Sequence, residues 1–259
     1  MTKTRLLLTA LTLAGLAALT LALAPPARSE ILVGGSSRVV VPVMANTAGA
    51  NNSLFRTKVV ILNVTSKAYT IQAILYGGNG QVSLVDIPMA AGQIRNYENF
   101  LADVFNNYGP AGAVAFNSNA LGNDFIVASE VFNDIGEGRY KTVTNTGALL
   151  EPSLPEFDSF SLGITVVEGS TGTRTNIGFF NDASEPSTIT ADLFNASGTK
   201  ITTISTTLPA KSWAQQGLPN AVVNGYIKWK VTAQTYCYAV VVDNRSSDGT
   251  FILAADYLP

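Results

Sequence analysis

The sequence predicts an all-β protein of two tandem antiparallel β-sandwich domains behind an N-terminal signal peptide. Three observations carry this: short runs of β-branched and aromatic residues ending in Gly, Asn or Ser turns, an internal repeat, and an apolar N-terminus almost free of charge. The chain has 259 residues, 47% of them hydrophobic, with 16 basic and 18 acidic side chains, so it can fill a sizeable core and is not intrinsically disordered. Histidine is absent and Cys237 is the single cysteine. That excludes Ser-His-Asp and Cys-His nucleophile systems, histidine zinc sites and an internal disulfide.

The first element is the signal. Lys3 and Arg5 precede the uncharged stretch 6–24, and Ala27-Arg28-Ser29 offers small residues where a signal peptidase reads, so cleavage is expected after Ser29. A cut after Ala24 would place Pro25 next to it, where the fixed φ and missing N–H suit an extended protease-bound chain poorly. The alternative is an uncleaved anchor, since this stretch is just long enough to span a bilayer. Cleavage leaves 13 basic against 18 acidic groups, a net charge of −5. Nucleic acid is therefore not an expected partner, because a duplex binder needs clustered Lys and Arg.

The remaining elements come in pairs. Residues 56–80 align without gaps on 174–198 with nine identities in 25 positions, among them Arg56/Arg174, Thr57/Thr175, Asn63/Asn181 and Gly80/Gly198. An offset of 118 is a domain's length, so the chain reads as a tandem duplication with domains at 30–152 and 153–259. In each copy FRTKVVILN or TRTNIGFFN is a strand, followed by YTIQAILY or STITADLF, a turn at 77–80 or 195–198, and a returning strand QVSLVDI or KITTISTTL. Further on, 112–116 corresponds to 225–229 and 125–133 to 236–244. Between the copies, LEPSLPEFDS (150–159) breaks the strand pattern with two prolines and three acids. One helix is expected over Asn99–Asn106, where Phe100, Leu101, Val104 and Phe105 share a face. It would cap an open end of the first sandwich, and the second copy has only the shorter 217–224 there.

With these segments laid out, the chain resembles a group of secreted bacterial proteins built from two immunoglobulin-like or fibronectin-like β-sandwich repeats. The features that carry the resemblance are the Arg-Thr-x5-Asn strand of both copies and Val-Val-Asp-Asn at 241–244, where the first copy has Glu130-Val131-Phe132-Asn133. The resemblance implies an architecture and an extracellular, periplasmic or cell-surface setting. It brings no common activity and no catalytic residues.

Candidate sites are few. Asp243, Asn244 and Asp248, with Asp256 nearby, are hard oxygen ligands that form a candidate calcium loop around Gly249, matched by Asn133, Asp134 and Glu137 in the first copy. Their spacing fits no EF-hand, and hairpin turns select the same residues. Arg56 and Arg174 suit either carboxylate binding or a structural role, the aliphatic stem covering the core's end and the head tied to loop carbonyls. Trp213, Trp229, Tyr226, Tyr236 and Tyr238 suggest sugar stacking. Alternation nevertheless turns Trp229 inward with Ile227 and Val231, leaving Tyr226, Lys228 and Lys230 on the other face. Trp213 is expected to be buried, and strand 236–242 is apolar on both faces, so it sits centrally or meets the other domain or a partner. The expected function is a secreted non-enzymatic structural or interaction protein that binds a protein or cell-surface polymer through sandwich edges or loops, with no resident cofactor and no membrane contact after signal cleavage. The alternatives are a carbohydrate- or calcium-dependent binding module and a histidine-free glycosidase using paired carboxylates.

Overall fold

The structure is a computed structural model describing residues 38–49, 52–106, 109–118, 124–134, 140–145 and 153–257. The expected signal peptide and its cleavage site, residues 1–29, lie outside the described residues. Among the described residues no helix is long and apolar enough to cross a membrane. Among the described residues the fold is all-β with antiparallel pairing, plus one short helix and a 3-10 turn at Gly78–Gly80.

The expected strands form where the alternating runs lie. In chain order they are β1 (Arg38–Ala48), β2 (Leu54–Asn63), β3 (Tyr69–Tyr76), β4 (Val82–Met89), β5 (Ile94–Tyr97), β6 (Ala111–Ser118), β7 (Phe125–Asp134) and β8 (Tyr140–Asn145). The second set comprises β9 (Asp158–Val166), β10 (Thr173–Asn181), β11 (Ser187–Phe194), β12 (Lys200–Leu208), β13 (Trp213–Gly217), β14 (Val222–Val231), β15 (Thr235–Asp243), β16 (Gly249–Leu253) and β17 (Ala255–Tyr257). The first eight pair in two groups, β5-β2-β7-β8 (sheet I) and β4-β3-β6-β1 (sheet II). Strand β1 belongs to both: its start pairs with β6 and its end with β2, across a register shift between Val41 and Met44. The next eight repeat the order as β13-β10-β15-β16 (sheet III) and β12-β11-β14-β9 (sheet IV), with β17 added beside β9.

Helix α1 (Phe100–Phe105) lies where expected. Asp103 accepts the Asn99 N–H at 3.2 Å at its start, and Asn106 ends it in the left-handed region at φ 50°. Phe100, Leu101 and Phe105 are buried in the core between sheets I and II. The second copy has no helix at the matching place, since β13 ends at Gly217 and β14 starts at Val222.

Three apolar layers result. One lies between sheets I and II, built from residues such as Val59, Ile61, Leu75 and Phe116, and another between III and IV around Phe179, Leu193 and Trp229. The third joins the halves: Val40, Tyr76, Ala113 and Ala115 on the outer face of sheet II meet Phe180 and Tyr236 on the outer face of sheet III, with Trp213, Phe251 and Leu253 packed around them. Phe180 stacks on Tyr236 at 5.9 Å and contacts Tyr76 at 4.9 Å. The Arg38–Asp182 ion pair at 2.7 Å and a Trp213 N–H to Gly77 carbonyl bond at 3.1 Å cross the same joint. Strand β15 is thus apolar on both faces because each face packs on a different layer.

One expected alignment needs correction. Phe125 pairs with Asn63 and Thr235 with Asn181, so 125–133 correspond to 235–243, one residue from the alignment expected. A one-residue slip exchanges inward and outward faces, so the pairing to the inward Asn63/Asn181 decides the register.

Candidate partner-binding face

Most of the repeated Arg-Thr-x5-Asn strand is structural. The hydroxyl of Thr57 accepts the Ala45 N–H at 2.7 Å and donates to the Ala45 carbonyl, while Thr175 donates to the Thr165 carbonyl at 2.6 Å. Each threonine ties the second strand of its half to the end of the first. Asn63 and Asn181 are fully buried turn plugs. The Asn63 amide donates to the Lys67 and Ala90 carbonyls, and that of Asn181 to the carbonyls of Glu185, Leu208 and Pro209. Buried carbonyls need such donors, which accounts for both identities.

The arginines point outward and differ. Arg56 pairs with Asp134 at 2.5 Å, whereas Arg174 donates to the Asn244 side-chain oxygen at 2.7 Å. In the corrected register Asp134 and Asn244 occupy one position. Their heads are held by side chains rather than the loop carbonyls expected. Burial lowers the pKa of Arg174. Arg174 also lines a cavity of about 100 Å³ at the joint, beside Asn176, Val240 and Val242.

The candidate calcium residues form a turn. Asp243 accepts the Arg245 and Ser246 N–H groups at 2.7 and 3.0 Å, and these bonds, the Ser246 one first, lower its pKa. Asn244 is engaged by Arg174 and donates to the Gly169 carbonyl. Asp248 gives its carbonyl to the Asp243 N–H. Asp256 is bound to Ser159, on sheet IV. In the first copy Asn133 accepts the Leu54 N–H and Asp134 holds Arg56, while Glu137 lies outside the described residues. Among the described residues no group of three His, Cys, Asp or Glu gathers as a metal site.

Trp229 is fully buried as its alternation predicts, its indole N–H donating to Ser161 at 2.9 Å. Trp213 is only partly buried, at the joint instead of a sandwich core, and donates to the Tyr238 hydroxyl at 3.0 Å. Tyr238 lies flat against Gly178, where a Cβ would come within 2.0 Å of its ring, and burial raises its hydroxyl pKa. Cys237 is buried, and burial pushes its thiol pKa up too.

The solvent-facing side of sheet IV gathers what these residues leave free. Cross-strand pairing sets Phe194, Tyr226 and Leu162 in one row and Asp192, Lys228 and Phe160 in the next. Phe194 and Tyr226 stack at 4.8 Å and 6°; Phe160 lies 6.4 Å from both Tyr226 and Tyr257. Leu162 is 66% exposed and Tyr257 62%. Lys228 pairs with Asp158 at 2.5 Å and stands over the Phe160 ring, and its hydrogen bond lowers the pKa of Asp158. Sequence alternation found Tyr226, Lys228 and Lys230 on this face. It missed Leu162 and Phe160, because the register shift beside Gly225 sets how β9 lies on β14.

Such a face can cover an apolar partner surface and pair rim charges with it. Because the faces of Phe194 and Tyr226 are turned toward one another, the pair offers ring edges rather than a flat stacking platform.

No protein-family profile and no curated protein matches the chain. Among solved structures, a Bacteroides uniformis β-glucuronidase 2 covalently bound to cyclophellitol-6-carboxylate aziridine is similar at 12% identity with a TM-score of 0.17, over 85% of this chain and 25% of that one. A further Bacteroides uniformis β-glucuronidase structure gives 11% and 0.17, over 79% of this chain and 25% of that one. A Pleurotus ostreatus lectin in complex with GalNAc gives 10% and 0.14, over 89% of both chains. The chain spans about a quarter of the length of the two glucuronidases. Likeness at these values carries no argument about activity or ligand.

Proposed function

We propose that this chain is a secreted, non-enzymatic interaction protein of bacterial cell-surface or extracellular type. Its residues 1–29 serve as the signal peptide, and two immunoglobulin-like domains at 30–152 and 153–259 follow. The observation that carries the reading is the outer face of sheet IV, where exposed Leu162 and Tyr257 and half-buried Tyr226 and Phe160 stand among lysines and aspartates. The apolar N-terminal stretch and the small residues before Glu30 support export. The partner is a protein or cell-surface polymer that offers a complementary sheet or apolar strip.

The test is fractionation of a native host making the protein. The mature chain should begin at Glu30 by mass spectrometry and be found outside the cytoplasm, bound to the surface. Leu162→Glu, at an exposed position, should release it into the medium without lowering its melting temperature. An intact chain retained in the cytoplasm, or unchanged surface binding by the variant, would overturn the reading.

A further inference from the structure

The halves of this molecule already show how one repeat docks on another: the outer face of sheet II receives the outer face of sheet III. By strand order, sheet IV is the counterpart of sheet II and sheet I the counterpart of sheet III. Each half therefore has a receiving face and an inserting face. Within one chain one of each is used, and the receiving face of the second half and the inserting face of the first half remain.

Both remaining faces carry apolar side chains at the positions that build the internal joint. On sheet IV, Tyr226 stands where sheet II has Ala113 and Phe194 where it has Tyr76. On sheet I, Leu62 replaces Phe180, Ile126 replaces Tyr236, and Ile94, 62% exposed, pairs with Leu62. At the internal joint the inserting face brings Phe180 and Tyr236, and the receiving face brings Tyr76 with Ala113 and Ala115. On the remaining faces the large rings are on the receiving side, and the inserting side is aliphatic with Ala128 in the position of Tyr238. The larger Tyr226 in place of Ala113 is thus offset by the smaller Leu62 and Ile126 in place of Phe180 and Tyr236.

We propose that copies of this chain assemble head to tail, the outer face of sheet IV of one molecule docking on the outer face of sheet I of the next. The proposal rests on the reading of sheet IV as a partner-binding face and names that partner as a second copy. Two different surfaces meet at each contact, so the contact is not self-complementary and the assembly grows past a dimer, as an open filament or, where the rotation between copies closes, as a ring.

Sedimentation velocity of the purified protein over a concentration series tests this with two variants at exposed positions, Leu162→Glu on sheet IV and Ile94→Glu on sheet I, each checked for an unchanged melting temperature. The native protein should pass through dimer and trimer to larger species. Each variant alone should be monomeric, and an equal mixture should form dimers and nothing larger, because each supplies the face the other lacks. A native protein that stays monomeric, or stops at a dimer, or a mixture that stays monomeric, would overturn the proposal. If the native protein stays monomeric while Leu162→Glu still releases it from cells, self-assembly alone fails. If Leu162→Glu changes neither, the partner-binding reading fails with it.

Discussion

The two halves share a strand order, and most of their inward positions have stayed alike while most of the outward ones, Arg56 and Arg174 apart, have diverged. Thr57 and Thr175 brace the first strand, Asn63 and Asn181 plug a turn, and Gly112 and Gly225 lie against a neighbouring carbonyl. At both glycines a Cβ would come within 2.5 Å or less of the carbonyl oxygen of Tyr76 or of Phe194 respectively, two residues that correspond in the repeat. Outward, Ala113 faces Tyr226, Val60 faces Gly178 and Asp134 faces Asn244 across the duplication. A core must be closed the same way twice. An outer face answers only to what covers it, and here one face meets the other half while its counterpart meets solvent.

The comparison is sharpened most by Trp229. Replacing it with alanine empties a fully buried site and should cost about 3–5 kcal/mol, as should Phe116→Ala at the matching core position. Tyr226→Ala, outward on the same strand, should cost far less. Thermal or urea unfolding of the three variants decides it, and a near-native Trp229→Ala protein would break the assignment of faces.

Next come the turn plugs. Asn63→Ala and Asn181→Ala each leave buried carbonyls without a donor, and each should lose about 1–3 kcal/mol. Similar losses on unfolding would confirm that the plug does one job in both halves; a loss at only one would break the equivalence.

Gly178→Val should likewise cost about 1–3 kcal/mol, because its Cβ must displace the Tyr238 ring. The reverse change in the first half, Val60→Gly, should cost less, near the ~0.5–1 kcal/mol penalty of glycine in a strand. Trp213 fluorescence should shift with Gly178→Val alone, since its indole is bonded to Tyr238.

Alkaline melting isolates Tyr69 within a fall in stability that buried Tyr238 and Cys237 of the second half also produce. Tyr69 in the first half donates to the Asp124 carbonyl, and burial first, then the Asp124 charge, pushes its hydroxyl pKa up to about 12. Below pH 10 folded and unfolded chains both hold that proton and the contribution is complete. From about pH 10 to 12 only the unfolded chain loses it, so stability falls as pH rises through that window. Tyr69→Phe should flatten that part of the melting curve. Its counterpart in the repeat is Ser187, which does not titrate.

The smallest expected effect concerns the arginines. Asp134→Asn copies the second half into the first and should cost no more than about 1 kcal/mol, vanishing in high salt, because the Arg56 head is partly exposed. Arg174→Gln should show no such salt dependence, as its partner Asn244 is uncharged.

Much of the fold was legible in the chain. Period-two alternation fixed which face of β14 holds Trp229, the nine identities gave the duplication, and a shared apolar face marked α1. These are local signals, carried by neighbours two to four residues apart. The candidate site was legible only in part. Tyr226, Lys228 and Lys230 followed from alternation, but Phe160, Phe194 and Leu162 join them through pairing between distant strands, and a register shift at Gly225 sets which residue of β9 lies opposite Tyr226.

By itself the sequence determined the all-β class, the repeated strands and the inward sets, because side-chain period and turn chemistry act over a few residues. The one-residue register of β7 against β15, the role of Asn244 as partner of Arg174, and the choice of which apolar faces meet at the joint were decided only by the tertiary structure. Each depends on where strands from separate parts of the chain come to lie, and an apolar outer face reads the same in sequence whether it is to be covered by the other half or left in solvent.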